Sequence, residues 1–483
     1  MRITNGIIMN NSLYNINNNK VVYDKLSTQM MTKKKIQRPS EDPIVAVRAL
    51  RLRSTYSEIC QYLEKNVPDA RSWMKATNDA LESINNVLED ITYYCNQGVN
   101  DYNTVDEREA LKTTLIQLKK QIFADGDADL NSRTIFTGYK TDSTLTFQND
   151  ENDTQYNIKQ TIKADDVDNM NRISGISTNT IYTADQRDVT NISFNVVKLA
   201  YDSLDSIGNI TVTNPDGTTS SITPVTRSKE AYNMAGNSVY TAVTSDVVFI
   251  PETGELLLSD DVYKSLINGG ELSIEYEKTG FNKGDLRPEH YFDCTNVTKG
   301  VDYVSANQEI NYTINFNQTI KVNTQARDIL THDLARDLDE IIYSLQAAID
   351  ADTKIQKLKS QLTTAGDDVT KDQINSMIKA VELEKGYAEE NMGLAFSKGI
   401  TNYQNHQQDL NNEMADLGAR IVRLNLNEER LGTHKLNITE QMVNNETIDV
   451  SVVAVELKDA SEIYDASLMA ASKLLQNSLL NFL

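Results

Sequence analysis

One periodic feature limits the fold of this chain more than any other. Between Leu52 and Gly98, apolar residues return every seven positions in three adjacent columns. The first runs Tyr56, Leu63, Ala70, Thr77, Ile84 and Ile91. The second runs Leu52, Ile59, Trp73, Ala80, Val87 and Tyr94. The third runs Cys60, Val67, Met74, Leu81, Leu88 and Cys95. Two columns are enough for a two-stranded coiled coil, so a third implies a helix packed into a bundle. Pro68 alone interrupts residues 44–140, and a kink or local break is expected there. Cys60 and Cys95 fall on the stripe and read as small buried hydrophobes rather than reactive thiols.

Further helices follow from the same rule. Leu111, Leu115, Leu118 and Ile122 share one face of a helix at about 106–124, with Thr104 or Asp106 as its cap. No proline occurs after Pro288. Leu410, Leu417, Leu424, Leu431 and Ile438 form one column near the far end, and Met414, Ile421, Glu428, Lys435 and Met442 form a half-polar partner column. That pattern predicts a helix seated along a narrow seam. From about Asp449, the residues Val453, Leu457, Ala460, Tyr464, Leu468, Ala471, Leu475, Leu479 and Phe482 continue at helical spacing. The other end carries a weak stripe of Ile7, Tyr14, Val21 and Leu26 among asparagines.

Two amphipathic ends of this kind cannot bury their apolar faces alone. They want each other and neighbouring copies. The expected assembly interface is therefore Ile7, Tyr14, Val21, Leu26, Leu468, Leu475, Leu479, Leu480, Phe482 and Leu483. Between the N-terminal arm and the long helix stands Arg38-Pro39-Ser40-Glu41-Asp42-Pro43. Asp42 is placed to cap a helix that starts at Pro43, so Arg38, Pro39, Asp42 and Pro43 read as a stiff domain joint.

The centre has a different character. From about 141 to 325 the composition shifts to Thr, Asn, Asp, Ser, Val and Ile, with turn signals at 214–217, 252–255, 268–271 and 282–285. Strand-like runs lie between them (DVVFI, ELLL, ELSIEYE, NYTINF, TIKVN). The fold class is mainly α with an inserted β-rich domain. A further polar helical pair, at about 352–362 and 370–385, reads as a hairpin projecting from the helical part.

Charge excludes a general nucleic-acid binder: 47 basic residues stand against 69 acidic, a net of −22. Residues 1–53 reverse the sign locally, with ten basic side chains and three acidic. This basic end reads as a solvated helix face or a docking surface for an acidic neighbour. No apolar run is long enough for a transmembrane helix, and the first thirteen residues lack the apolar core of a cleavable signal. Three scattered cysteines make no disulfide framework, and four isolated histidines make no metal motif. Asp125, Asp127, Asp129 and Asn131 alternate as in a calcium loop, but Leu130 and Phe136 stand where Gly and Glu are required. Asp165, Asp166 and Asp168 read as a solvated turn. No catalytic, metal or cofactor constellation is expected.

The start MRIT, then RPSEDPIVAVRALRLRS, then ARSWMKATNDALESINNVLEDI, resembles the flagellin superfamily. NSRTIFTGYKTDSTLTF is similar to the family's turn and hairpin after the second helix. LGARIVRLNLNEERL and ASLMAASKLLQNSLLNFL resemble its closing helices. The resemblance covers about 1–147 and 400–483, weakens over 309–400, and does not extend over most of 148–308. Arg38–Pro43 and the closing Leu-Leu-Asn-Phe-Leu favour the hook–filament junction branch over filament-forming flagellin. The central insertion is larger than that branch usually carries.

The resemblance implies a D0/D1 long-helix bundle with an outer β domain. Residues 1–43 and 446–483 would be the two parts of the D0-like arm. Residues 44–140 and 309–445, the latter including the helical pair at about 352–385, would make the D1-like bundle. Residues 141–308 would be the outer domain. It further implies an extracellular flagellar location reached by type III export without a cleaved signal. The implied partners are the first hook-associated protein, flagellin or the filament cap, copies of itself in a ring, and an export chaperone; neither nucleic acid nor membrane is among them. Two other readings are a filament-forming flagellin, and a secreted adhesin or enzyme acting through 148–308.

Overall fold

A computed structural model describes residues 5–99, 104–229, 239–241, 243 and 245–480, with side chains from 6 to 473 within those spans. Eight helices carry most of it: α1 (Asn5–Thr32), α2 (Pro43–Gln61), α3 (Val67–Gly98), α4 (Val105–Gly126), α5 (Asp260–Ile267), α6 (His332–Thr364), α7 (Asp368–Glu446) and α8 (Val450–Leu480). The chain is mainly α with an inserted β-rich domain. It divides into two compact units. One comprises 1–71, 312–320 and 422–483, and the other 72–311 and 321–421.

The break at Pro68 takes a definite form. Tyr62–Asn66 is one turn of π-helix between α2 and α3, closed by the Val67 N–H on Tyr62 O. Pro68 has no N–H to donate and its ring crowds the carbonyl four residues back, so the preceding turn widens. The three-column stripe is fully buried only beyond this turn: Val67, Ala70, Trp73, Met74, Thr77, Ala80, Leu81, Ile84, Val87, Leu88 and Ile91 are all inside. Cys95 is buried as well, and burial pushes its thiol up to about 12.

α4 begins with a capping box. The Thr104 hydroxyl accepts from the Glu107 N–H, while the Glu107 carboxylate accepts from the Thr104 N–H at 2.7 Å. It runs antiparallel to α6, tied by Lys119–Asp339 at 2.6 Å and Arg108–Asp352 at 3.2 Å.

The helical pair at 352–385 is made of the end of α6 and the start of α7, joined by three residues, and both helices run on well beyond it. At a rise of ~1.5 Å per residue α7 is about 118 Å long. Ile355, Leu358, Ile374, Met377 and Val381 close the α6–α7 end against Ile176, Ala184 and Val189 from the β-rich segment. The α7 leucine column (Leu410, Leu417, Leu424, Leu431) is buried along its whole length. Arg71–Glu428 and Lys435–Glu64 (2.7 Å) set α7 antiparallel to the α2–α3 rod.

The β-rich domain holds two sheets. A seven-stranded sheet centres on Glu151–Ile162 paired with Glu271–Phe281, and a five-stranded one on Thr190–Lys198 between Asp168–Ser174 and Glu255–Leu258. Glu151–Ile162 and Thr190–Lys198 escape a reading that looks for apolar runs, because their alternation is largely polar. At Gly254 (φ +63°) a Cβ would lie 2.1 Å from Tyr201 O, so the 252–255 turn admits only glycine. The Asp125–Asn131 loop is structural: Asp127 accepts from the Leu145 N–H (2.7 Å), the Thr146 N–H (3.0 Å) and the Gln148 amide (2.9 Å).

The β domain is locked to α6 by charge. Arg172, almost fully buried, donates to Glu340 Oε1 (2.6 Å) and Glu255 Oε1 (2.7 Å), and Lys198 donates to Glu340 Oε2 (2.9 Å). Burial opposes ionisation of Glu340, yet Lys198 and Arg172 hold its carboxyl far below the usual range. His332, the first residue of α6, is packed among the rings of Tyr201, Tyr291 and Phe292. Burial lowers its pKa to about 3, and lowers that of His290 to about 4.

Leu424→Ala is expected to cost about 2–5 kcal/mol in urea unfolding, and Val422→Ala, on the exposed side of the same helix, less than about 0.5 kcal/mol. Both folded-state histidine pKa values lie below ~6.5, the unfolded value. Between them the unfolded chain binds more protons, so their contribution is complete above pH ~6.5 and lost as pH falls toward 4. Urea midpoints measured from pH 7 to 5 should therefore fall, and His332→Phe should reduce the slope.

Candidate assembly surface

The two chain ends form a helix pair within one compact unit. α1 and α8 run antiparallel, because Asn19 donates to Ser467 Oγ at 2.9 Å and Tyr23 stacks on Tyr464 at 6.3 Å between ring centroids. Their seam follows a seven-residue repeat. On α1 the inner positions are Ser12, Ile16, Asn19, Tyr23, Leu26 and Met30. On α8 they are Val453, Leu457, Ala460, Tyr464, Ser467 and Ala471.

Large side chains (Ile16, Tyr23, Leu26, Met30, Val453, Leu457 and Tyr464) alternate along this seam with small and polar ones. A column of Ser12 and Asn19 against Ala460 and Ser467 removes little apolar surface from water. At ~25 cal/mol per Å² such burial contributes far less than a leucine column would. Further large apolar side chains lie off the seam. Ile7, Leu13, Tyr14, Val21 and Val22 are half or more exposed on α1, Tyr14 and Val21 at 67% each. Val455, Ile463 and Met469 are similarly exposed on α8.

Of the residues read from sequence as the interface, Leu26 alone sits on the seam. Ile7, Tyr14 and Val21 face away from it, and so does Leu468. The structure therefore does not bring these four together within one copy. The side chains of Leu475, Leu479 and Leu480, and all of Phe482 and Leu483, lie outside the described residues. Sequence reading missed Ile16, Tyr23 and Asn19 because Ser12 and Asn19 interrupt their stripe. Tyr23 and Tyr464 at the same depth in two heptad patterns were the available signal.

The joint is more elaborate than its sequence. Asp42 Oδ1 accepts from the Ile44 N–H (3.0 Å) and the Val45 N–H (3.1 Å), and Pro43 opens α2. Arg38 and Pro39 are exposed, and Arg38 O accepts from the Glu41 N–H at 3.0 Å. The segment before them pairs with the segment between α7 and α8. The Lys35 N–H donates to Glu446 O (2.8 Å) and the Ile448 N–H to Lys33 O (3.2 Å). Lys33 takes φ +58° to make that turn. Arg53 Nε donates to Glu446 Oε1 at 2.9 Å, with Lys34 3.7 Å from the same carboxylate, and Arg53 draws the Glu446 carboxyl below its ordinary range. Both connections to the terminal helix pair thus pass through one clasp. Among the described residues, no group of acidic, histidine and cysteine side chains is arranged to hold a metal ion, and no helix is long and apolar enough to cross a membrane.

Long antiparallel helices, a pairing of the first helix with the last and a β-rich insertion make up the fold. Residues 3–141 match the bacterial flagellin N-terminal helical region. Over 147 residues the chain is 29% identical to the flagellar hook-associated protein 3 of Salmonella typhimurium and, at the same identity, to that of Escherichia coli. The match covers 30% of this chain and 45% of each relative, so it spans under half the length of those proteins. The flagellar junction protein of Legionella pneumophila aligns over 83% of this chain and all of its own, at 11% identity and a TM-score of 0.30, too low to establish a shared fold.

Asp42→Ala should lower stability by about 0.5–2 kcal/mol through loss of the α2 cap. Asp42→Asn, which still accepts, should recover most of it in the same urea measurement.

Proposed function

We propose that this chain is a structural protein of the bacterial flagellum that forms the junction between hook and filament. The observation that carries the reading is the terminal helix pair: besides the seam between its two helices, it leaves Ile7, Leu13, Tyr14, Val21, Val22, Val455, Ile463 and Met469 exposed. The similarity of residues 3–141 to the flagellin N-terminal helical region and the match to hook-associated protein 3 support it. Its role is structural rather than catalytic.

The assembly interface is proposed to be Ile7, Tyr14, Val21 and Leu26 with Leu468, Leu475, Leu479, Leu480, Phe482 and Leu483. Arg38, Pro39, Asp42 and Pro43 are the proposed joint between a D0-like arm (1–43 and 446–483) and a D1-like bundle (44–140 and 309–445). The β-rich insertion, 141–308, would face outward. Each apolar side chain buried on assembly contributes roughly 1.5–3 kcal/mol, against an ordering cost of ~1–2 kcal/mol per backbone residue. That balance is close to even for one chain, so many copies fold their ends together. The proposed neighbours are the first hook-associated protein on one side, flagellin or the filament cap on the other, and further copies in a ring. Export through the flagellar type III apparatus, with a chaperone covering the ends, fits ends that order only on assembly.

Immunogold labelling of flagella from the bacterium that encodes this chain tests the reading. Gold confined to the hook–filament boundary is expected. Gold along the filament would make the chain a flagellin, and unlabelled flagella would refute a flagellar role. Val21→Asp should leave the monomer's urea midpoint within about 0.5 kcal/mol of wild type yet abolish incorporation.

A further inference from the structure

The two connections to the terminal helix pair differ in length. Three residues, 447–449, join α7 to α8, whereas ten residues, 33–42, join α1 to α2. A flexible linker of ten residues has a root-mean-square span of roughly 16–19 Å. That is about twice the ~8–10 Å between the axes of packed helices. Left free, such a linker would let the end of α1 wander past its place beside α8. The seam between the two helices corrects this only in part, because Ser12, Asn19, Ala460 and Ser467 interrupt its larger side chains.

The clasp removes that freedom at the root. Lys34 and Thr447 form an antiparallel bridge, flanked by the bonds from the Lys35 N–H to Glu446 O and from the Ile448 N–H to Lys33 O. Lys35 is held by all of its polar groups, since its carbonyl accepts from the Gln29 amide (2.6 Å) and its ammonium donates to Asn444 O (2.6 Å). A bridge this short does not stand alone in water, where even an isolated hairpin is marginal. It is supported from α2 and α7. Asn445 Nδ2 donates to Val45 O at 3.1 Å, and both Asn445 and Ile448 are buried. Arg53, on α2, reaches both carboxylate oxygens of Glu446, with Nε on Oε1 and Nη2 on Oε2. A bidentate guanidinium–carboxylate pair fixes direction as well as distance. Glu446 is thus held at its carboxylate by α2 and at its carbonyl by the linker.

We propose that this clasp is the root from which the two terminal helices pair, and that Arg53 is its positioning residue although it belongs to neither end. With the clasp closed, the turns of α1 and α8 next to it stand side by side before any neighbour arrives, and the outer turns order from them. With it open, the ten-residue linker is free and α1 loses its starting point. The proposal concerns the chain in solution and stands apart from the flagellar reading, which its failure would leave intact.

Hydrogen–deuterium exchange of the purified full chain, read in pepsin fragments, tests it. In the wild type the fragments holding Lys35 and Ile448 should exchange slowly, and exchange along α1 should quicken with distance from Thr32. Arg53→Ala should speed exchange at least tenfold in those two fragments and along residues 19–32, with α3 and α4 unchanged. Arg53→Lys, which keeps one bond to the carboxylate, should recover part of the protection. Glu446→Ala should match Arg53→Ala, and the double variant should add little to either, because both single changes break the same pair. Additive effects would show Arg53 acting elsewhere and overturn its role. Equal acceleration in α3 would make Arg53 a general stabiliser and overturn it as well. An unprotected Lys35 fragment in the wild type, or an α1 that Arg53→Ala leaves unmoved, would overturn the clasp itself.

Discussion

A helix of 79 residues in water must be covered along its length, and this requirement organises the molecule. α7 meets it with a buried leucine column, set against the α2–α3 rod and tied at intervals by ion pairs such as Lys435–Glu64. Most helical stability comes from such packing rather than from propensity. Where three columns are apolar, from Val67 to Ile91, their side chains are buried. Where the stripe thins, helices expose apolar side chains, and those are the surfaces that ask for company.

The β-rich insertion answers a different constraint. Its two sheets pack on each other through one core (Ile158, Val197, Phe249, Leu256 and Ile274 among others), and the five-stranded sheet buries its second face as well, around Val196, Val248, Ile250 and Leu257. Its attachment to α6 rests on Arg172, Glu255, Glu340 and Lys198. A buried cluster of this kind adds little net stability over an apolar contact, because removing charge from water is costly. It is strict about geometry, since any member left without its partner becomes a buried unpaired charge. His332 in its ring of aromatic side chains lies on the same helix.

Particular residues show how far the primary structure could be read. The stripe from Leu52 to Gly98, the break near Pro68 and the cap at Asp42 follow from period, missing N–H and side-chain chemistry, all local properties. The strands at Glu151–Ile162 and Thr190–Lys198 were hidden because their outward side chains are polar and only the register of the sheet shows which ones point in. The α1 seam could not be read, because α1 carries apolar residues on more than one side and only the partner helix shows which stripe it covers. Asn19 and Ser467 are inside because their hydrogen bond and the close approach of small residues decide the pairing, and neither is visible in one helix alone. The clasp between Lys33–Lys35 and Glu446–Ile448 joins segments over four hundred residues apart, with no signature beyond ordinary polar side chains.

The amino-acid sequence by itself determined that this is a mainly α chain with a β-rich insertion, with helices of bundle type and ends that share an unsatisfied amphipathic character. Those properties depend on periodicity and composition, which act within a few turns. Tertiary structure alone decided which face of each terminal helix turns inward and how the two connections to the terminal pair are clasped. Such choices depend on which distant segment arrives to compete for a surface, and a one-dimensional pattern carries no information about that competition.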